Sequence, residues 1–179
     1  LTAVLLERGA HVVAVERDQD LLVQLRARFV DQDFALHHSD ILTFDLTTLP
    51  SSYKVIANIP YYLTSNLVRV LSESTNPPEQ AVLLVQKEVA ERLAADAGRL
   101  SILAVTAQFY WEVSLGMVVG AELFVPPPKV DSQVVLLQRR SQTMFPDVDA
   151  AAFFWLVKAG FSSRRKTLLN SLSGGLRLN

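Results

Sequence analysis

No cysteine occurs among the 179 residues of this chain. Disulfide frameworks, zinc ribbons, iron–sulfur clusters and thiol nucleophiles are excluded together, and the absence suits a reducing compartment such as the cytoplasm. Long apolar runs are also missing. A membrane span needs roughly 18 apolar residues, and the richest stretches, 115–125 and 151–157, are too short or broken by Gly and Glu. No basic stretch followed by an apolar one opens the chain, so no signal peptide is expected. Neither sign of charge dominates, with 17 Lys and Arg against 18 Asp and Glu. Glycine is scarce: the seven stand at positions 9, 98, 116, 120, 160, 174 and 175, and none forms a Gly-rich strand-to-helix turn. What remains is ordinary globular composition, 50% hydrophobic and 20% charged, in a chain long enough to bury roughly two-thirds of its unfolded surface. Because Leu1 already lies within a helix-like pattern, the chain is expected to be a piece of a longer protein.

Charge is balanced overall but uneven along the sequence. Residues 1–90 hold seven Lys and Arg against eleven Asp and Glu, whereas residues 91–179 hold ten against seven. From Lys158 onward there are five cations and no acid. This asymmetry points to an anionic partner at the C-terminal end; a solvated helix face is the alternative.

The N-terminal part alternates strand and helix signals. Strands are expected over 11–16, 34–38, 53–58 and 81–86, the last nearly all apolar, as a strand buried on both faces would be. Helices are expected from Asp18, an N-cap before a pattern with Leu21, Leu22, Leu25 and Phe29 on one apolar face, and over 64–71, 87–95 and 100–109. Strands spaced by helices imply right-handed crossovers and a parallel sheet. Two further strands, 112–119 and 130–138, flank Pro126-Pro127-Pro128 and form an antiparallel edge hairpin. A helix starting near Asp149 and a second helical segment beyond Phe161 follow. The fold class is therefore α/β: a Rossmann-like, mostly parallel sheet with an antiparallel edge hairpin and a small helical C-terminal segment. The division into domains is placed at 1–142 and 143–179.

In an open parallel sheet, ligands bind beyond the carboxyl ends of the strands. Glu16, Asp40 and Asn58 fall at three such ends. Glu16 can accept the hydroxyls of a ribose, and Asp40 a hydrogen bond from an adenine amine, with Ile41 offering an apolar face beside it. Taken singly, Glu16 also reads as a solvated strand end and Asp40 as a turn or cap residue. The informative segment is Asn58-Ile59-Pro60-Tyr61. Adenine's exocyclic nitrogen is a poor nucleophile because its lone pair is delocalised into the ring. The Asn58 side-chain oxygen and the Ile59 carbonyl form an acceptor pair for its two hydrogens, Pro60 fixes the turn between them, and Tyr61 can stack on the base. His37 and His38 are neighbours on one strand and point to opposite faces, so no metal site is expected. Trp111 and Trp155 are expected to be packing residues rather than base platforms, and Asp131 and Ser132 to serve the turn and hairpin.

Asn58-Ile59-Pro60-Tyr61 resembles the catalytic motif of S-adenosylmethionine-dependent adenine-N6 methyltransferases. Gln86-Lys87-Glu88, Gly98-Arg99-Leu100-Ser101, the segment 124–132 (Phe-Val-Pro-Pro-Pro-Lys-Val-Asp-Ser) and the segment 161–170 (Phe-Ser-Ser-Arg-Arg-Lys-Thr-Leu-Leu-Asn) narrow the resemblance. In this order they are similar to the small-subunit ribosomal RNA adenine-N6 dimethyltransferase family (KsgA/RsmA), from Leu1 to about Leu172. The resemblance implies a cytoplasmic, monomeric, metal-independent enzyme. It uses S-adenosylmethionine to place two methyl groups on each of two adjacent adenosines near the 3′ end of small-subunit rRNA, within a small-subunit precursor. It further implies that Glu16, Asp40, Ile41 and Asn58 bind the cofactor and that Asn58 to Tyr61 carry catalysis. Phe124 helps hold a flipped base, and Lys129, Arg164, Arg165 and Lys166 contact RNA. Two other readings stand beside it: the related large-subunit rRNA dimethyltransferases that confer macrolide resistance, and a non-catalytic assembly factor that binds pre-ribosomal RNA.

Two departures from the family pattern are visible. Tyr62 stands where the family usually has Asn. The family's first strand and Gly-rich loop, which approaches the methionine part of the cofactor, lie upstream of a segment like Leu1-Thr2-Ala3. That strand is expected between those ending at Glu16 and Asn58, so two sheet edges should lack a partner here.

Overall fold

The order of elements follows from local chemistry that is easy to trace. In a computed structural model that describes residues 1–163 and 165–176, helix α1 (Thr2–Glu7) ends at Gly9, whose φ of 77° is the left-handed conformation glycine adopts without strain. Strand β1 (Val12–Glu16) then runs to Asp18, whose side chain accepts from the Asp20 and Leu21 amides and starts helix α2 (Gln19–Arg28). Strand β2 (Phe34–His38) returns parallel to β1, with Val12 opposite Phe34 and Glu16 opposite His38. Leu22 and Phe29 bury against this pair, and the Phe29 and Phe34 rings sit 5.1 Å apart. Leu21, expected on the same buried face, is instead 43% exposed, so the apolar stripe of α2 is narrower than its leucines suggest.

Those elements form one compact unit, Leu1–Thr48; the rest of the chain, Leu49–Asn179, forms a second. The second unit is built on strands β3 (Lys54–Asn58), β4 (Gln80–Gln86), β5 (Trp111–Val119) and β6 (Ser132–Arg139), in the order β3-β4-β6-β5. β3 and β4 are parallel, whereas β6 is antiparallel to both β4 and β5. Among the described residues, β1 and β3 each have a strand neighbour on one side only. Helix α3 (Thr64–Glu73) carries the β3-to-β4 crossover and buries Leu67, Val68 and Leu71, each contributing about 1.5–3 kcal/mol by removal from water. Helices α4 (Lys87–Leu93) and α5 (Ile102–Tyr110) connect β4 to β5. Along β4, Ala81, Leu83 and Val85 are fully buried while Val82 and Leu84 are only partly so. The expectation of a strand shut on both faces therefore fails: successive side chains alternate, and within this unit one face is sealed and the other half-open.

Polar groups at the back of the sheet are paired. The Trp111 indole donates to Ser72 Oγ at 2.8 Å, and that hydroxyl donates to the Val68 carbonyl at 2.6 Å. The Arg139 guanidinium lies over the Tyr110 and Trp111 rings, at 4.9 and 5.0 Å, and donates to the Ser72 carbonyl at 3.1 Å; burial lowers its pKa from the ordinary arginine value. Trp111 is thus a core residue, as expected. Trp155, on helix α6 (Ala150–Gly160), is not: it is 58% exposed. α6 is apolar nearly all round, and Phe153 and Phe154 take the inward positions against Phe109 of α5. Asp149 caps α6 by accepting from the Ala152 amide. Helix α7 (Leu168–Gly175) packs closely on α6, since a Cβ on Gly175 would lie 2.8 Å from Ala159 Cα.

Tyr53, just before β3, gives a pH prediction. Its hydroxyl donates to the Asn76 carbonyl at 2.9 Å, and burial pushes its pKa up to about 12 from 10.0. The fold favours the neutral phenol, so this stabilisation is intact below pH 10 and is lost as pH rises through 12. Melting temperature should fall across that window, and fall less in Tyr53→Phe. Equal falls in both proteins would count against the assignment.

Candidate functional site

In the first unit the two candidate acids stand at the ends of neighbouring parallel strands. Glu16 closes β1, and its Oε1 accepts from the Arg17 and Asp18 amides at 2.7 and 2.8 Å. Asp40 follows β2 by two residues, and its Oδ1 accepts from the Leu42 amide at 2.9 Å. Each carboxylate therefore spends one oxygen on its own turn. Oδ2 of Asp40 lies 3.7 Å from the Arg17 guanidinium, an exposed side chain that the sequence reading had not singled out and whose attraction is weak in water. The Ser39 amide donates to the Glu16 carbonyl at 3.1 Å and the His38 ring donates to the Arg17 carbonyl at 3.1 Å, so the two strand ends are laced together. Ile41 is half-buried beside Asp40. His37, the neighbour of His38, contacts the Phe44 ring at 5.1 Å. Among the described residues no group of three His, Cys, Asp or Glu is placed to hold a metal ion.

In the second unit Asn58 is the last residue of β3, opposite Leu84, and its side chain is exposed. It makes no side-chain hydrogen bond among the described residues, and neither does the carbonyl of Ile59 accept one from their backbone. Ile59 itself is only 8% exposed, which pins the turn, and Pro60 (φ −54°, ψ 132°) directs the chain into a 3-10 turn over Tyr61–Leu63. The Leu63 amide donates to the Pro60 carbonyl at 2.9 Å, and Thr64 Oγ1 donates to the Tyr61 carbonyl at 3.0 Å. The result is a carboxamide oxygen and a peptide oxygen from consecutive residues, both without a donor among the described residues, followed by a half-buried tyrosine ring. Tyr62 is 76% exposed and shares none of these contacts.

The Tyr61 hydroxyl is hydrogen-bonded to Ser132 Oγ at 2.8 Å. Ser132 was expected only to serve the hairpin; no periodicity or spacing could link it to a residue 71 positions away. Phe124, half-buried, follows a 3-10 turn over Ala121–Leu123 whose first amide donates to Asp131 Oδ1 at 3.1 Å. Lys129 is exposed. Arg165 and Lys166 are exposed in the turn that precedes Thr167, the N-cap of α7, rather than on a helix face, because Thr167 accepts from the Asn170 amide and starts the helix there. Arg164 lies outside the described residues. A depression of about 390 Å³ lined by Glu73, Tyr110, Phe154, Trp155 and Lys158, among others, includes none of the expected site residues.

The fold is that of the Rossmann-like methyltransferases. A dimethyladenosine transferase from Plasmodium falciparum matches it with a TM-score of 0.79 at 27% identity, covering 96% of this chain and 62% of that one. The 23S rRNA methyltransferase ErmE matches with a TM-score of 0.77 at 29% identity, covering 99% and 70%. The family model for ribosomal RNA adenine dimethylase matches residues 1–177, and the chain belongs to that family. The ribosomal RNA small subunit methyltransferase A of Dehalococcoides mccartyi strain CBDB1 is 41% identical over 183 residues. That of Thiobacillus denitrificans strain ATCC 25259 / T1 is 40% identical over 182 residues. The alignments cover 100% and 99% of this chain, and 63% and 70% of those relatives.

Proposed function

We propose that this chain is the methyl-transfer part of an S-adenosylmethionine-dependent rRNA (adenine-N6,N6)-dimethyltransferase. Its substrate is the pair of adjacent adenosines near the 3′ end of small-subunit rRNA, in a small-subunit precursor in the cytoplasm. The observation that carries this reading is the pair of oxygens on the consecutive residues Asn58 and Ile59 that receive no donor from the described residues, followed directly in the chain by the half-buried Tyr61 ring. The shared name of the two curated relatives supports the small subunit over the large.

A base inside a helix cannot reach such a pair, so the target adenosine is taken out of its stack. The Asn58 Oδ1 and the Ile59 carbonyl each accept one N–H of its amine, which localises the nitrogen lone pair and aims it. Tyr61 stacks on the base, worth on the order of 1–3 kcal/mol, and Phe124 helps retain it. Orientation of this kind replaces acid–base chemistry as the main source of rate. When bound, S-adenosylmethionine would supply a methyl group on a positively charged sulfur that leaves as a neutral thioether, each methylated amine giving up one proton to water. Glu16 and Asp40 fit its nucleoside part, because each keeps a carboxylate oxygen beyond the one committed to its turn, and Ile41 offers an apolar face beside Asp40. Lys129, Arg165 and Lys166, with Arg164, contact phosphates. The RNA-gripping part is taken to begin at residue 143, after a methyl-transfer domain over 1–142.

The test is transfer of labelled methyl groups by the whole protein to undermethylated small subunits, with bare large-subunit rRNA as the rival substrate. Dimethylation of two neighbouring adenosines in the small subunit is expected. Label confined to large-subunit rRNA, or RNA binding without transfer, would overturn the reading.

A further inference from the structure

We propose that Ser132 is a positioning residue for methyl transfer: it tethers the far end of Tyr61 and so fixes the plane on which the target base stacks. This rests on the reading of Tyr61 as the stacking residue.

The tether is built from buried, doubly anchored chain. Ser132 has no exposed surface, whereas Tyr61 is half-buried, and their hydroxyl oxygens are 2.8 Å apart. As the first residue of β6, Ser132 is held between two strands, opposite Gln86 on one side and Val119 on the other. Its neighbour Asp131 adds two further ties: its carbonyl accepts from the Lys87 amide at 3.0 Å, and its Oδ1 accepts from the Ala121 amide at 3.1 Å. Residues 131 and 132 therefore connect the start of α4, the turn that leads to Phe124, and the ring of Tyr61. Both aromatic side chains assigned to the target base take their placement from this one dipeptide.

The chemistry explains why a phenol is used. Stacking alone needs only a ring, and phenylalanine would supply one. A tyrosine side chain has two rotatable bonds, so a ring held only at Cβ can swing; a hydrogen bond from its para oxygen to an immobile hydroxyl removes that freedom before the base arrives. Rate is sensitive to such pre-organisation, because misplacing the amine by about 1 Å costs on the order of 100-fold. Affinity for RNA is not, because phosphate contacts supply most of it.

The test uses the whole protein with Ser132→Ala, Tyr61→Phe and the double variant, each read three ways. In methyl transfer, both single variants should lower kcat by about 10-fold with KM for RNA unchanged, and the double variant should be no worse than either single one, as expected of two groups acting through one contact. In spectra of protein labelled at tyrosine Cζ, which has four such carbons, the Tyr61 signal should move in Ser132→Ala and the other three should stay. Thermal melts separate positioning from folding. An unmoved Tyr61 signal would overturn the tether, as would multiplicative losses in the double variant. A lowered melting temperature with kcat unchanged would reduce Ser132 to a structural residue and also overturn it. Should the parent protein transfer no methyl group while the Tyr61 signal still moves, the functional reading fails and the contact itself survives.

Discussion

Asn58→Ala is expected to lower the methyl-transfer rate by about 10²–10³-fold, the usual effect of removing one pre-organised polar group from a reacting centre, and to leave folding almost untouched. The two halves of this expectation come from the same observations. Asn58 is exposed and makes no side-chain hydrogen bond among the described residues, so truncating it breaks no such bond there, and changes at such positions usually stay within about 0.5 kcal/mol. The backbone turn survives because Ile59 is buried and Pro60 sets its own φ. Single-turnover transfer to undermethylated small subunits, run beside a thermal melt, reads both quantities. Retained turnover would remove the amide oxygen from the mechanism. A large fall in melting temperature would show that Asn58 supports the fold.

Phe109→Ala is expected to act the other way, on stability and on the placement of the C-terminal helices. Phe109 is 1% exposed, and its ring lies 4.7 Å from Phe153, 5.1 Å from Phe154, 4.8 Å from Tyr110 and 6.4 Å from Phe145. Its carbonyl accepts from the Met144 amide at 2.8 Å. The same side chain thus packs against α5's own neighbour and against α6, on both sides of the boundary placed at residue 143. Truncation of a buried phenylalanine costs about 3–5 kcal/mol, which for a domain of this size lowers melting temperature by roughly 6–20 °C. Because α6 loses its anchor, amide exchange in α6 and α7 should rise more than in β4, and RNA affinity should fall with the displaced Arg165 and Lys166. A loss under about 1 kcal/mol, or exchange raised evenly over the second unit, would show that α6 is held by other contacts.

Much of the molecule is legible in its sequence because the determining interactions are short-range. The strands ending at Glu16, His38, Asn58 and Gln86 are β-branched or apolar runs stopped by turn residues, and Asp18 and Asp149 cap helices through amides two or three residues away. The chemistry proposed for Asn58 to Tyr61 could be read from the sequence for the same reason: two acceptor oxygens and an aromatic ring are consecutive in the chain. The turn role of Asp40 was legible too; that of Glu16, read as a solvated strand end, was not, and in both cases the turn occupies one oxygen of two.

Other features depend on which surfaces meet. Trp111 and Trp155 look alike in sequence, yet one is sealed between Ser72 and Arg139 while the other faces outward because Phe153 and Phe154 took the contact with α5. Arg165 and Lys166 fall in a turn because Thr167 begins a helix. The bond between Tyr61 and Ser132 exists because β6 inserts beside β4, bringing a buried hydroxyl to a ring 71 residues distant. Residue order alone therefore determined the elements, their caps and the candidate reactive tetrapeptide, since each is settled within a few residues. Which side chains are shut away, and which of them meet across the sheet, was decided by strand order and helix packing, where partners are chosen by shape and by the cost of leaving a buried polar group unbonded.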